Sequence, residues 1–239
     1  SSGSMLGNEI YSFQLATWGY GEIIPNHACK IEIESELETY IQLKRVEYVP
    51  STLATIEAKG DDDFITKKPG MMFPDPLQTV KNGEVFIFNE QARSFWVIIE
   101  PKGEVVGTYP IRLLVKGGKE EVLAEATFTI EIIDATLADL DICNTGWFHG
   151  DCLAIHHNVE ILSEEYFEIV EKYIKAYVKF GHNVILTPVF TPPLDTSVGG
   201  ERPTNQLVDI CVENGKYSFG FKNLKRWVDL CLKCGIKYF

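Results

Sequence analysis

The sequence predicts an all-β antiparallel sandwich followed by an α/β part with the first three strands of a (β/α)₈ TIM barrel. Up to Asp134, apolar and polar residues alternate with the period of two that marks half-buried strands. After Asp134, helical periodicity alternates with short apolar runs. We therefore divide the 239 residues into a cloning remnant at 1–5, a β-sandwich at 6–135 and the start of the barrel at 136–239.

The bulk composition restricts the class of protein. With 45% hydrophobic and 23% charged residues, it is typical of a globular protein. The net charge of −12 disfavours nucleic acid and anionic membranes as partners, because both repel an acidic surface. The six cysteines favour reduced thiols in a cytoplasmic protein, since a chain of this length does not need disulfides. A secreted protein whose signal peptide was removed is the alternative, because "SSGSM" at the start resembles a cloning remnant.

Strand patterns fill the first part. "CKIEIES", "YIQLKRVEYV" and "ATFTIEII" alternate apolar and polar residues, and "VFIFNE", "SFWVIIE" and "YPIRLLVKGG" add further strands. Turns are indicated at "KNGE", "PKGE" and "KGGKE". Seven or eight short strands without crossover helices are typical of an antiparallel sandwich.

The second part reads as β-α-β-α-β. "LDICNTGWF" predicts a short strand, and Ser163 is the expected N-cap of a helix that ends before Gly181. "NVILTPVF" predicts a buried parallel strand, "FKNLKRWVDLCLKCG" a second helix and "IKYF" the start of a third strand. Three parallel strands leave an open apolar edge. We therefore expect further sequence, or self-association of the chain, to cover the open barrel edge.

Five stretches together resemble glycoside hydrolase family 123, the β-N-acetylgalactosaminidase family, and its bacterial relatives. They are "PGMMFPDPLQ", "SFWVIIEPKGEVVGTYPIRLLV", "WFHGDCLA", "ILTPVFTPPLDTSVGGERPTNQLV" and "LKRWVDLCLKCGIKYF". The segment "TPPLDTSVGGERPT" is the most specific of the matches. The resemblance covers nearly the whole chain and implies a sandwich attached to a TIM-barrel glycosidase.

The resemblance also implies the chemistry. The family's reaction is retaining and substrate-assisted: the 2-acetamido carbonyl of the sugar attacks its own anomeric carbon. An adjacent Asp-Glu pair orients that acetamido group and supplies the general acid/base. The Glu120–Glu121 and Glu164–Glu165 pairs lie in a turn and at a helix start and do not match this pattern. We therefore expect no catalytic residue in this chain, a catalytic pair beyond Phe239, and no activity from the chain by itself.

Candidate substrate-binding residues follow the first two predicted barrel strands, where binding residues of such barrels lie. They are Trp147, His149, Asp151, Thr187, Phe190 and Arg202. An aromatic ring can stack on the apolar face of a sugar, while charged groups can bind its hydroxyls. Burial of Trp147 in the core, and hydrogen bonding of Asp151 within its own loop, are the structural alternatives.

Metal and redox sites are weaker interpretations. His149, Asp151, His156 and His157 are possible zinc ligands, but they lack the spacing of an HExxH motif. Cys231-x-x-Cys234 ends a predicted helix rather than beginning one, which favours packing thiols over a redox pair.

We therefore expect no metal and no cofactor. The expected partner is a glycan that contains N-acetylhexosamine, and N-acetylgalactosamine is favoured by the resemblance. The alternative function is a non-catalytic carbohydrate-binding or structural module.

Overall fold

The computed structural model describes residues 1–20, 27–51, 71–139, 141–190 and 198–239. The chain divides into two compact units, Ser1–Ala138 and Asp139–Phe239. None of the described helices is long and apolar enough to cross a membrane.

The described part of the first unit consists of strands and one short 3₁₀ helix at Glu38–Tyr40. The strands are β1 (Ser2–Leu6), β2 (Tyr11–Trp18), β3 (His27–Glu34), β4 (Ile41–Ser51), β5 (Met71–Thr79), β6 (Glu84–Ile87), β7 (Ala92–Ile99), β8 (Gly107–Lys116) and β9 (Val122–Ile133). They form one sheet in the order β1-β9-β8-β3-β6 and a second sheet in the order β2-β7-β4-β5.

The first sheet is not wholly antiparallel, because β1 pairs with β9 in parallel. Strand β1 includes four of the five residues that the sequence marks as a cloning remnant. Met5 is only 2% exposed and belongs to the hydrophobic core of the unit. Whatever their origin, these residues form part of the sheet.

Alternate residues of both sheets form a single core. In β7, Phe95, Val97 and Ile99 are fully buried, and the residues between them are more exposed. The same cluster contains Ile111 of β8 and Ile130 of β9 from the other sheet. Burial of each such side chain contributes about 1.5–3 kcal/mol to folding. The period of two in the sequence therefore corresponds to the packing of this unit.

The second unit combines short strands with helices. Its elements are β10 (Thr145–Gly146), α1 (Gly150–His157), α2 (Glu164–Lys179), β11 (Val184–Ile185), β12 (Asp209–Glu213), β13 (Lys216–Gly220) and α3 (Lys222–Cys234). Strands β10 and β11 pair in parallel, and β12 and β13 form an antiparallel hairpin.

The predicted start of a (β/α)₈ TIM barrel is wrong. The described chain is mostly β, with three α-helices, and β10 and β11 have two residues each. "IKYF" contributes only an isolated bridge between Tyr238 and Val184. Helix α1 and the β12–β13 hairpin occupy segments that the β-α-β-α-β pattern treats as loop. The apolar run at 184–190 suggested a long strand, but Leu186, Val189 and Phe190 in it are exposed.

The predicted helix boundaries are confirmed. Ser163 is the N-cap of α2, and its Oγ accepts a hydrogen bond from the Tyr166 backbone N–H at 3.1 Å. Gly181 follows the C-cap of α2 with a φ of +90°, a conformation that favours glycine. The C-cap of α3 is Gly235, with a φ of +105°. These caps fix where the helices begin and end.

The side chain of Asn183 joins the short strands of the second unit. Its Oδ1 accepts a hydrogen bond from the Asn144 backbone N–H at 2.8 Å, and its Nδ2 donates to the Ile142 carbonyl at 2.9 Å. Its own carbonyl accepts hydrogen bonds from the backbone N–H groups of Lys237 and Tyr238. One buried residue thus links three chain segments that share few strand hydrogen bonds.

Candidate functional site

Trp147 and His149 form an exposed aromatic pair directly after β10. The backbone at His149 is extended, with φ −104° and ψ 91°. Residues two apart in an extended chain point to the same side. The two rings lie nearly parallel, with an interplanar angle of 7° and centroids 5.9 Å apart. Trp147 is 65% exposed, so its indole is open to a ligand.

Phe148, between these two residues, faces the interior. Its ring makes edge contacts with Tyr177 of α2 and Trp227 of α3, at centroid distances of 6.0 and 5.9 Å. The Tyr177 hydroxyl also lies within hydrogen-bond distance of the backbone of Gly146 in β10. The sequence left open whether Trp147 is buried in the core. Phe148 is the residue that packs there, and Trp147 is exposed. The inward ring and the phenol anchor the chain on both sides of the exposed indole.

Asp151, in the first turn of α1, pairs with Arg202. Its side chain is 3% exposed and that of Arg202 is 12% exposed. Arg202 donates from Nε to Asp151 Oδ2 at 2.6 Å, and its Nη2 contacts the same oxygen. Nη2 also lies 3.9 Å from the Cys152 Sγ. The structure therefore brings two predicted site residues together as a buried ion pair.

A second polar contact lies next to this ion pair. The Tyr166 hydroxyl of α2 donates to Asn205 Oδ1 at 3.1 Å, and both residues are buried. Burial, reinforced by the negative charge of Asp151, raises the pKa of Tyr166 far above its ordinary value. The phenol therefore stays neutral and remains a hydrogen-bond donor. A Cβ at Gly150 would collide with this hydroxyl, so the start of α1 requires glycine here.

Residues 202–207 are thus tied to the rest of the second unit at three points. Arg202 bonds to α1, Asn205 bonds to α2, and the Leu207 backbone N–H donates to the Pro188 carbonyl at 3.1 Å. Leu207 is fully buried. The segment is therefore fixed beside α1 and the chain that follows β11.

Thr187 and Phe190 follow β11 and lie farther along the chain. Thr187 is half-buried, and its hydroxyl lies 3.5 Å from the Ile185 carbonyl. Phe190 is 61% exposed. Within the described ranges, Phe190 makes no ring contact with Trp147 or His149. The "TPPLDTS" part of the predicted loop lies outside the described residues.

The three histidines proposed as possible zinc ligands lie at the two ends of α1: His149 is its N-cap, and His156 and His157 end it. His156 and His157 lie in the last turn of α1, not in a loop, and both are exposed. His157 Nε2 lies 3.0 Å from the Tyr173 hydroxyl. In the part of the chain that the structure describes, no group of three His, Cys, Asp or Glu residues could hold a metal ion.

The Cys231-x-x-Cys234 pair lies in the last turn of α3 as two free thiols. Cys231 is fully buried in the core of the unit. Burial raises the pKa of its thiol to about 12, and burial also raises the pKa of Cys234. Neither thiol has the lowered pKa that a redox nucleophile needs.

Three residues that hold the site together carry no sequence motif. Asn205 and Asn183 are buried amides beside apolar residues, and Tyr177 belongs to the apolar stripe of α2. An amide next to a buried strand, as in "HNVIL", is the signal that could have identified Asn183.

Replacement of Asp151 by alanine should destabilise the second unit. It removes the anion from a buried ion pair, which typically costs about 3–5 kcal/mol in the free energy of unfolding. Asp229→Ala is the matched control, because it breaks the exposed Lys225–Asp229 pair within α3 and should cost about 0.5 kcal/mol or less. Urea unfolding followed by circular dichroism measures both. Equal losses in the two variants would contradict the structural importance of the Asp151–Arg202 pair.

Thiol labelling should separate the cysteines by burial. In the native chain at about pH 8, the exposed Cys143, Cys152 and Cys211 should be alkylated first. Cys231, with a pKa of about 12, holds only about one thiolate in 10⁴ at that pH. It should react only after denaturation, as read by peptide mass spectrometry. Rapid native labelling of Cys231 would show that α3 opens or is packed differently.

A protein-family model matches most of the second unit. Residues 147–238 match the model described as "Glycoside hydrolase 123, catalytic domain". A family 123 glycoside hydrolase from Clostridium perfringens has a similar structure, with a TM-score of 0.77 at 13% sequence identity. The similarity covers 99% of this chain and 42% of the clostridial chain. The chain therefore spans less than half the length of that relative.

Other solved structures are less similar to this chain. The N-terminal domain of PorA has 10% identity and a TM-score of 0.29, over 55% of this chain and 87% of that domain. The seventh PapD-like domain of human CEP192 has 12% identity and a TM-score of 0.28, over 56% of this chain and 82% of that domain. A search of curated proteins gave no match.

The two findings agree with the resemblance seen in the sequence. The family model covers the segment that contains Trp147, Asp151 and Arg202, and the clostridial structure shares the fold of nearly the whole chain. The resemblance of this chain to glycoside hydrolase family 123, whose catalytic-domain model matches residues 147–238, is therefore confirmed.

Proposed function

We propose that this chain is part of a glycoside hydrolase and contributes a glycan-binding surface to it. The observation that carries the proposal is the exposed Trp147–His149 pair at the start of the segment that matches the family's catalytic domain. A sugar presents C–H groups on one face, and such a face packs well against an indole. The backbone next to the ring is anchored by Phe148, the inward-facing neighbour of Trp147. The binding surface is thus an exposed ring on a fixed backbone.

The position of the pair supports the same proposal. Trp147 directly follows β10, and Thr187 lies two residues after β11, which pairs with β10 in parallel. Both residues therefore follow the carboxyl ends of two paired strands, at the same edge of this short parallel pair. In the proposal, Trp147, His149 and Thr187 contact the glycan, and Phe190 adds a second exposed ring after β11.

Asp151 and Arg202 have a different part in the proposal. Their charged groups already bind each other in the interior. They fix residues 202–207 beside α1. Direct binding of the glycan by either residue remains a prediction from the sequence.

The proposed substrates are β-linked N-acetylhexosamine glycosides, with N-acetylgalactosamine favoured by the family resemblance. The proposed reaction is retaining, with the 2-acetamido oxygen of the sugar as nucleophile. It needs two neighbouring carboxylates, one to orient the acetamido group and one to move the proton. No Asp-Glu dipeptide occurs in the 239 residues. We therefore assign binding to this chain and proton transfer to residues outside it.

Hydrolysis of chromogenic glycosides tests the reaction. We expect the full-length protein to cleave 4-nitrophenyl β-N-acetylgalactosaminide and to leave the matching β-galactoside intact, because the galactoside lacks the acetamido nucleophile. The 239-residue chain alone should cleave neither. The hypothesis fails if the full-length protein cleaves no N-acetylhexosaminide, or if it cleaves the galactoside equally well.

Titration of the 239-residue chain with an N-acetylgalactosamine-containing oligosaccharide tests the surface. Trp147→Ala should weaken binding by about tenfold, or about 1.4 kcal/mol, because an exposed aromatic anchor is lost. Trp18→Ala is the matched control, since Trp18 is 60% exposed but lies in the first unit. Isothermal titration calorimetry measures both variants. Unchanged affinity in Trp147→Ala would remove Trp147 from the proposed surface.

A further inference from the structure

The β12–β13 hairpin has one apolar face and one polar face. Its turn is Asn214–Gly215, with φ values of 50° and 75°, as a two-residue type I′ turn requires. The strand register places Ile210 opposite Phe219 and Val212 opposite Tyr217. Because side chains alternate across a strand, these four share one face. The other face carries the remaining residues of the strands: Asp209, Cys211, Glu213, Lys216, Ser218 and Gly220.

The apolar face is open to solvent. Ile210 is 42% exposed, Val212 57%, Tyr217 68% and Phe219 55%. In the described chain, β12 and β13 pair only with each other. A two-stranded hairpin is marginally stable in water unless something packs on its face. Four adjacent large apolar side chains therefore mark this face as an interaction surface.

We propose that this face binds the same face of a second copy of the chain. In this dimer the two hairpins stack face to face, and a two-fold axis runs between them, parallel to the strands. This symmetry places β12 of one copy against β13 of the other. Val212 then packs on the Tyr217 ring of the copy, and Ile210 packs on its Phe219 ring. Each aromatic side chain meets a smaller aliphatic one, and every contact occurs twice, as in isologous dimers.

The charge distribution favours a copy of this chain as the partner. The charged side chains of the hairpin, Asp209, Glu213 and Lys216, all lie on the opposite face. Stacking of two copies therefore brings no charge into the contact, even though the chain has a net charge of −12. The Tyr217 hydroxyl is the polar side-chain group of the face, and it can remain at the rim in water.

The area of the apolar face indicates how stable the proposed dimer should be. With about 200 Å² for a fully exposed large side chain, the four side chains supply about 450 Å² per copy and about 900 Å² per pair. Stable interfaces bury about 1,200–2,000 Å² in total, and smaller ones are weak or transient. The dimer should therefore be weak and form only at high protein concentration. This inference does not depend on the proposed glycosidase activity.

Sedimentation velocity of the 239-residue chain, from about 5 to about 500 µM, tests the proposal across a wide range of concentration. The wild-type chain should change from monomer to dimer over this range. Phe219→Lys should weaken the dimer by at least about tenfold, because it places a charge in the contact. Ser218→Lys is the matched control on the same strand and should dimerise like the wild type. Val212→Lys repeats the test on the other strand, and circular dichroism checks that each variant folds.

Three results would overturn the proposal. One is a wild-type chain that remains monomeric at the highest concentration. Another is a dimer that Phe219→Lys and Val212→Lys leave as strong as before, because the contact would then lie elsewhere. The third is loss of glycan binding in Phe219→Lys while the wild type stays monomeric, which would assign this face to the glycan.

Discussion

The second unit depends on the buried amide of Asn183. Strands β10 and β11 contribute only two residues each to their ladder, and the chain at Tyr238 joins them through a single bridge. So short a ladder supplies few backbone hydrogen bonds. The Asn183 side chain adds one donor and one acceptor to the chain before β10, and its own carbonyl holds Lys237 and Tyr238. Loss of this amide would remove two hydrogen bonds to partly exposed backbone groups, each with a net value of about 0.5–1.5 kcal/mol.

The candidate site follows from this arrangement by short steps along the chain. Gly146 is held by the Tyr177 hydroxyl, and Phe148 is held by two aromatic rings. With Phe148 directed into the core, the adjacent Trp147 is left exposed. The exposed indole is therefore a consequence of how its neighbours are buried. The contacts of Gly146 and Phe148 therefore position the backbone that carries the indole.

Some of the fold could be predicted from the sequence, because local patterns determine it. Ser163 and Gly181 bound α2 through cap chemistry that involves only a few neighbouring residues. The β12–β13 hairpin was missed, although Asn214–Gly215 between alternating residues is a strong hairpin signal. The partial barrel was wrong because the apolar run after Asn183 predicts a long buried strand. The strand has only two residues, and Leu186, Val189 and Phe190 of the run are exposed.

The site was less predictable because it depends on contacts between distant segments. Adjacent aromatic residues such as Trp147 and Phe148 have similar hydrophobicity, so the sequence does not decide which of them faces the core. The pairing of Asp151 with Arg202 joins residues 51 positions apart. The sequence identified both as site residues, but only the structure shows that their side chains are close enough to bind each other.

Gly150 has a consequence for how variation in related sequences should be interpreted. Any side chain at this position would displace the Tyr166 hydroxyl from Asn205, and the next residue, Asp151, is held by Arg202. Selection for folding alone would therefore preserve a Gly-Asp dipeptide immediately after the exposed Trp147–His149 pair. Such a dipeptide resembles a catalytic signature, yet the constraint on it comes from packing. Relatives that differ at Trp147 or His149 while they keep Gly150 and Asp151 would be the ones with altered ligand preference.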